Sequence, residues 1–261
     1  MKPVSEAVIL MAGSGSRLAG SGPPVPKPLL PVLGRPLISY TLATFAKIGV
    51  QKVHVIVGAH AELLLEGLRP LVPTGMLLNP IVNQDWQKQN GISVLCAADK
   101  VASPFFLTMG DHLFDPSIPE ILLARSDRKL LNLAIDKKID IIFDREDAMK
   151  VQTKGDRVFA IGKELKDYDA IDTGLFLCSH DLFDHLRAAK RGDDCSLADG
   201  VRSMAGENNV VAVDIGDAWW HDVDTSAMLQ HATELLSEMS SLKRNVDLVA
   251  DASSPAQDET S

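Results

Sequence analysis

VILMAGSGSRLAGSGPPVPKPLLPVLGRPLI, residues 8–38, opens on an unbroken apolar run, breaks into glycines and serines, and returns to apolar residues through a proline-rich stretch. An apolar run without alternation reads as a strand buried on both faces, the habit of a parallel sheet covered by helices. Its end in glycines puts Gly13, Gly15, Arg17 and Lys27 at the carboxyl edge of that sheet, where open α/β folds bind ligands. Glycines let backbone N–H groups approach phosphate oxygens closely, and Arg17 and Lys27 supply compensating charge. The segment from Leu10 to Lys27, with Ala12 and Ser16 inside it, is therefore a candidate to wrap phosphate. The dinucleotide fingerprint fails because Leu18 stands at its third glycine, and the Walker loop fails because no G-K-[ST] follows. A bare G-x-G is more often only a turn; Arg17 and the later Pro26-Lys27-Pro28 favour the phosphate reading.

Outward from this loop, apolar runs alternate with helix-like segments. Strand 7–11, helix 37–48, strand 52–57, helix 61–68, a strand over 76–82, helix 92–99 and strand 105–109 keep a βαβ rhythm. From Leu130 the pattern turns to strands at 132–135, 148–153, 157–161 and 171–177, which adds antiparallel members to the sheet. Helices return at 179–189 and 196–204, then strand 210–214 and a long helix over about 225–243. The expected fold is a three-layer α/β/α sandwich on a mixed, mostly parallel sheet: one domain over residues 1–246, then a disordered tail over 247–261 rich in Asp, Ser, Ala and Pro.

With 261 residues, 46% hydrophobic and 23% charged, the chain can bury one large core, and it has no apolar run of membrane-spanning length. The N-terminal apolar stretch reads as a strand and not as a signal peptide. Cys96, Cys178 and Cys195 are odd in number and have no C-x-x-C pair, which favours a reduced, cytoplasmic location without a disulfide framework or zinc site. A net charge of −9 argues against nucleic acid as a partner and leaves room for a small anion in a locally basic cleft.

Two further segments carry carboxylates. In PFFLTMGDHLFD, residues 104–115, an apolar strand ends at Gly110-Asp111, where a carboxylate across from a phosphate loop can hold magnesium. In AWWHDVDTSAML, residues 218–229, Asp222 and Asp224 share one face of an extended segment, so that one should bind metal while the other, or Thr225, caps the helix that follows. His112 and His221 are structural or substrate-shaping, since magnesium prefers oxygen ligands. There is no G-x-S-x-G elbow and no activated cysteine.

The pattern G-x-G-x-R, then P-K, resembles the signature of sugar-phosphate nucleotidyltransferases with a glycosyltransferase-A-like fold. Met109–Asp115 (MGDHLFD), Asn90-Gly91, MKV at 149–151, IGKELKDYDAIDTGLFL at 161–177 and WWHDVDT at 219–225 are similar to CTP:inositol-1-phosphate cytidylyltransferases, from Val8 to about Leu236. That resemblance implies Gly13, Gly15, Arg17 and Lys27 on the CTP phosphates, and Asp111 and Asp224 as the magnesium pair with Asp222 in support. Gln84, Asn90 and Gly91 then lie near the base, with Asn79 and Asn83 as competing contacts. Lys150 and Lys163 are implied on the acceptor phosphate, with Asp136, Asp172 and Gly174 near its hydroxyls; for Lys166, Asp144 and Asp169 a surface turn explains the residue equally well. Catalysis falls to Arg17, Lys27 and Asp111, with CTP and a phosphorylated small molecule as partners. Alternative acceptors are phosphocholine, a phosphonate or a hexose 1-phosphate, and a catalytically silent nucleotide-binding regulator is the reading of another class. Some members of this kind are fused to a membrane-embedded phosphotransferase, which here is expected to be a separate protein. The exposed edge of the mixed sheet leaves room for a homodimer.

Overall fold

The first strand, β1 (Glu6–Met11), lies inside a nine-stranded sheet, and its apolar run is buried on both sides. The computed structural model describes residues 3–14 and 25–252. A short hairpin, β2 (Pro31–Val32) and β3 (Arg35–Pro36), leads into α1 (Leu37–Lys47), followed by β4 (Lys52–Val57), α2 (Ala61–Leu68), β5 (Leu77–Val82), α3 (Asn90–Leu95) and β6 (Phe105–Met109). Next come β7 (His112–Phe114), α4 (Ser117–Arg125), β8 (Leu131–Asp136), β9 (Lys150–Lys154), β10 (Arg157–Gly162) and β11 (Ala170–Cys178). The chain continues through α5 (Asp181–Ala189), α6 (Leu197–Gly206), β12 (Val210–Asp214), β13 (Trp220–Asp222) and α7 (Ser226–Ala252).

The sheet order is β5-β4-β1-β6-β11-β8-β12-β10-β9. Parallel pairing joins β5, β4, β1 and β6 and recurs between β8 and β12; β11 runs antiparallel to both β6 and β8. The expected mixed character is therefore centred on β11, with the β9–β10 hairpin as a further antiparallel edge.

Alternate residues of the buried strands feed two cores. Ala7, Ile9 and Met11 meet Ile38, Leu42 and Phe45 of α1, Leu64 and Leu68 of α2 and Ile118 and Leu122 of α4. Val8 and Leu10 point the other way, with Val94 of α3, Leu182 and Leu186 of α5 and Val201 and Met204 of α6. These are the outer layers of the expected three-layer sandwich. A third, smaller cluster packs Ala232 and Leu236 of α7 against Val32, Leu37, Leu113 and Val223, so α7 closes the end of the sheet where the candidate site lies.

Strands 52–57, 105–109 and 210–214 and helix 61–68 fall where the sequence puts them, and helix 37–48 ends one residue earlier. Two differences have local causes. The helix expected over 225–243 runs on to Ala252, so residues 247–252 are helical, not tail; residues 253–261 lie outside the described residues. Thr225 is its cap: Met228 N–H donates to Thr225 Oγ1 at 3.2 Å. Helix α6 starts after Ser196, whose side chain accepts from Asp199 N–H while Asp199 reaches back, a complete capping box.

At the amino end of the sheet, buried His54 on β4 lies 2.8 Å from Glu6 Oε2 through Nε2 and 2.8 Å from Asn79 Nδ2 through Nδ1. Asn79, a competing base contact by sequence, is thus spent on the scaffold. Burial holds the His54 pKa below its usual value, and the Glu6 hydrogen bond only partly offsets this. The unfolded chain therefore takes the proton first. Stability from this group is full above about pH 6.5 and is lost as pH falls through the lowered folded value. A thermal melt series from about pH 7.5 down to 5 should show a falling midpoint, with a shallower fall in His54→Gln; equal slopes would rule out His54 as the source.

Candidate active site

Three chain segments meet at the carboxyl edges of β1 and β6. Gly13 and Ser14 follow β1, Gly110-Asp111 follows β6, and Lys27 lies in a 3₁₀ turn opened by the Pro26-Lys27-Pro28 run. Gly110 N–H donates to Leu10 O at 2.9 Å, which draws the ends of β1 and β6 together. A β-carbon on Gly110 would stand 2.5 Å from Met11 Cγ and 3.2 Å from Pro28 Cγ, so only glycine allows all three segments to approach this closely.

Asp224 arrives by another route. Strands β7 and β13 form a separate two-stranded antiparallel ladder with His112 opposite Asp222. Val223 N–H then donates to Asp111 O at 3.0 Å, and the next residue, Asp224, comes up beside Asp111. The Lys27 ammonium is bonded to both carboxylates: it lies 2.9 Å from Asp111 Oδ2 and donates to Asp224 Oδ1. Side chains of Lys27, Asp224 and Asp111 are 13%, 17% and 26% exposed, so the cluster is shielded but open to a cavity.

The electrostatics follow from this packing. Burial alone would raise the Asp111 pKa, but the hydrogen bond and charge of His112 and those of Lys27 outweigh it and hold the carboxyl well below the usual range. Burial would lower the Lys27 pKa, yet the two carboxylates raise it. His112 is likewise raised despite burial, by its bond to Asp111 and by the charges of Asp111, Asp222 and Asp172. Asp172, with fewer compensating contacts, is pushed up to about 6 by burial.

Two cavities flank the cluster. The smaller, about 380 Å³, is lined by Leu10, Gly13, Ser14, Lys27, Gly110 and Asp111. The larger, about 660 Å³, lies towards β8, β11 and the start of α6 and includes Asp136, Lys163, Asp172, Gly174 and Trp220 in its wall. Met109, His112 and Asp224 line both.

The sequence-predicted residues sort by these cavities. Leu10, Gly13, Lys27, Asp111 and Asp224 come together, and Ala12 is buried just behind them; Gly15, Ser16 and Arg17 lie outside the described residues. Lys163 lines the larger cavity and pairs with Asp147 at 2.5 Å, whereas Lys150 Nζ donates to the carbonyls of Glu146 and Lys163, at 3.0 and 2.7 Å. Asp172 reaches the cavity while its Oδ1 accepts Gly174 N–H at 2.7 Å.

Several expected contacts also make structural hydrogen bonds, with Asp136 and Asn90 still in the wall of the larger cavity. Asp136 takes Trp220 Nε1–H at 3.0 Å on Oδ2 and the Lys138 ammonium at 2.9 Å on Oδ1, so it holds the Trp220 segment to β8. Asn90 accepts Leu197 N–H at 2.8 Å, and a β-carbon on Gly91 would lie 2.6 Å from Cys195 O, so this pair joins α3 to α6. Asn83 is buried against Ser93, and Gln84 is exposed outside both cavity linings. Asp169 caps Thr153 N–H at 2.6 Å, a turn role. Lys138 was missed by sequence reasoning because it sits in no motif; Trp220 lies in the quoted WWHDVDT segment but was given no role there, and only the fold brings the two to Asp136.

A family model described as the MobA-like NTP transferase domain matches residues 7–193. The chain belongs to that family. This NTP transferase domain is 34% identical over 233 residues, 88% of the chain, to the bifunctional IPC transferase and DIPP synthase of Rubrobacter xylanophilus, and covers 51% of that protein. It is 31% identical over 84% of its length to the CMP-5'-(3-aminopropyl)phosphonate synthase of Streptomyces rubellomurinus, covering 36% of it. The chain thus spans about half the length, or less, of these curated relatives. Among solved structures, the inositol-1-phosphate CTP transferase from T. maritima superposes with a TM-score of 0.78 at 28% identity, over 90% of this chain and 96% of that one. The fold is that of the nucleotide-sugar transferases. Among the described residues, no helix is long and apolar enough to cross a membrane.

NTP transferases of this family generally use a divalent metal. The donor set fits a hard divalent ion, because two carboxylates already converge on one cation, the Lys27 ammonium, and oxygen is the ligand such ions prefer. Among the described residues no group of three or more His, Cys, Asp and Glu is arranged to hold a metal. The Lys27 ammonium competes for the same two oxygens. Lys27→Met should therefore bind Mn²⁺ about tenfold or more tightly without nucleotide, measured by electron paramagnetic resonance of the free ion, whereas Lys138→Met, which removes an equal charge from the larger cavity wall, should not.

Proposed function

We propose that the chain transfers the cytidylyl group of CTP to the phosphate of inositol 1-phosphate, giving CDP-inositol and pyrophosphate, with magnesium on Asp111 and Asp224. The observation that carries this reading is the Lys27–Asp111–Asp224 cluster set between two cavities that meet at His112. The choice of CTP and inositol phosphate is supported by the likeness to the T. maritima transferase and to the relatives named IPC transferase. A cytoplasmic location accords with the three free cysteines.

A phosphate monoester is ionised at neutral pH, so its oxygen needs no base to attack the α-phosphorus of CTP. The new O–P bond forms as the bond to the β-phosphate oxygen breaks, and the electron pair leaves with pyrophosphate. What the chain must supply is alignment of two anions that repel each other. Lys27 and Arg17 neutralise the triphosphate, with Gly13 and Gly15 supplying close backbone approach. Asp111 and Asp224 would hold the divalent ion, which when bound would supply positive charge to the pyrophosphate leaving group. Lys163 holds the acceptor phosphate, Lys150 fixes the Lys163 backbone, and Asp172 accepts from acceptor hydroxyls beside Gly174.

A second reading replaces inositol phosphate with a phosphonate, on the likeness to the CMP-5'-(3-aminopropyl)phosphonate synthase. Pyrophosphate release, measured across CTP, UTP and dTTP against inositol 1-phosphate, phosphocholine, an aminoalkylphosphonate and hexose 1-phosphates, separates these readings. The greatest kcat/KM is expected for CTP with inositol 1-phosphate, and no release from that pair would overturn the proposal. In the same assay Asp111→Ala should lose about 10²-fold or more in kcat at saturating magnesium.

A further inference from the structure

The imidazole of His112 is held on three sides. Nδ1 lies 2.9 Å from Asp111 Oδ1, and the Trp220 indole stacks along one face with centroids 6.3 Å apart and planes inclined by 17°. The far edge of the ring abuts Gly174, where a β-carbon would stand 2.4 Å from Cδ2 and 2.5 Å from Nε2. Gly174 has φ of +73° and is fixed in turn by its N–H bond to Asp172 Oδ1. The ring thus spans from a carboxylate of the smaller cavity to the floor of the larger one, and His112 lines both. Because Nδ1 engages Asp111 Oδ1, Oδ2 is the oxygen turned to the Lys27 cation.

We propose that His112 is a positioning residue that acts as a rigid spacer between nucleotide and acceptor, with Nδ1 setting the rotamer of Asp111 and the opposite ring edge resting on Gly174. The proposal rests on the transferase reading of the site. In-line attack needs reacting atoms about 3–3.5 Å apart, and a shift of about 1 Å costs about 10²-fold in rate. A spacer between the two substrates is therefore felt in turnover more than in the binding of either one. Glycine at 174 is explained by the same contact, since any side chain there would displace the ring.

The test compares two neutral variants of similar size. His112→Asn keeps a donor near the Nδ1 position, and His112→Gln moves it towards the Nε2 position. The Asn variant should exceed the Gln variant at least about tenfold in kcat, with KM for CTP and for acceptor within about threefold of each other. Gly174→Ala should cost about 10²-fold in kcat in the natural background and clearly less in His112→Ala, where the ring is gone. Equal kcat for Asn and Gln, or additive effects of Gly174→Ala and His112→Ala, would overturn the spacer role. Circular dichroism melts identify a variant that fails to fold, and the Asn–Gln comparison decides the matter if the glycine variant does. Absence of pyrophosphate release from the natural chain across the substrate panel would instead overturn the transferase reading itself.

Discussion

Two carboxylates brought to one point repel each other, and the site is organised around meeting that constraint. Asp111 and Asp224 are 113 residues apart by numbering, yet the β7–β13 ladder sets them side by side. A cation must sit between them, and the ammonium of Lys27 does so. Lys27 is a fixed resident of the cluster because Pro26 and Pro28 restrict the backbone on either side and its 3₁₀ turn packs over Gly110. The same two carboxylates offer the oxygen ligands that a hard divalent ion prefers.

The sheet accounts for where this happens. Buried parallel strands end together at one edge, and the chain beyond each is free of ladder pairing and able to serve a ligand. Strand β11, antiparallel to β6 and β8, divides the edge: residues of the smaller cavity follow β1 and β6, while Lys163, Asp172 and Gly174 of the larger one come from β11 and the segment before it. Helix α7 closes this end through Ala232 and Leu236, and Thr225, next to Asp224, caps its first turn.

Much of this was legible in sequence because continuous apolar runs and helical stripes carry their own period; β4, β6 and β12 match residue for residue. What escaped had no period to show. Strands β7 and β13 are three residues each, and β2 and β3 two. Helix α4 buries only Ile118, Pro119 and Leu122, a short stripe with a proline in its first turn. Alternation puts Asp222 and Asp224 on one face, so only the resemblance separated them; in the structure it is Asp224 that reaches Lys27. Polar residues were the least legible: Asn79 and Asn83 look like ligand contacts in sequence and are hydrogen-bonded into the scaffold, while Lys138 looks unremarkable and lines the larger cavity.

The order of the strands also bears on how the site can be altered. All nine strands of the main sheet are complete by Asp214, and the family match ends earlier still, at residue 193, but Asp224 comes only after β13. Every strand of that sheet, and Asp111, precede Asp224 in the chain. The carboxylate that completes the Lys27 cluster therefore stands outside the sheet's own strands, so the cluster can be altered by changes in residues 215–225 that leave every main-sheet strand intact.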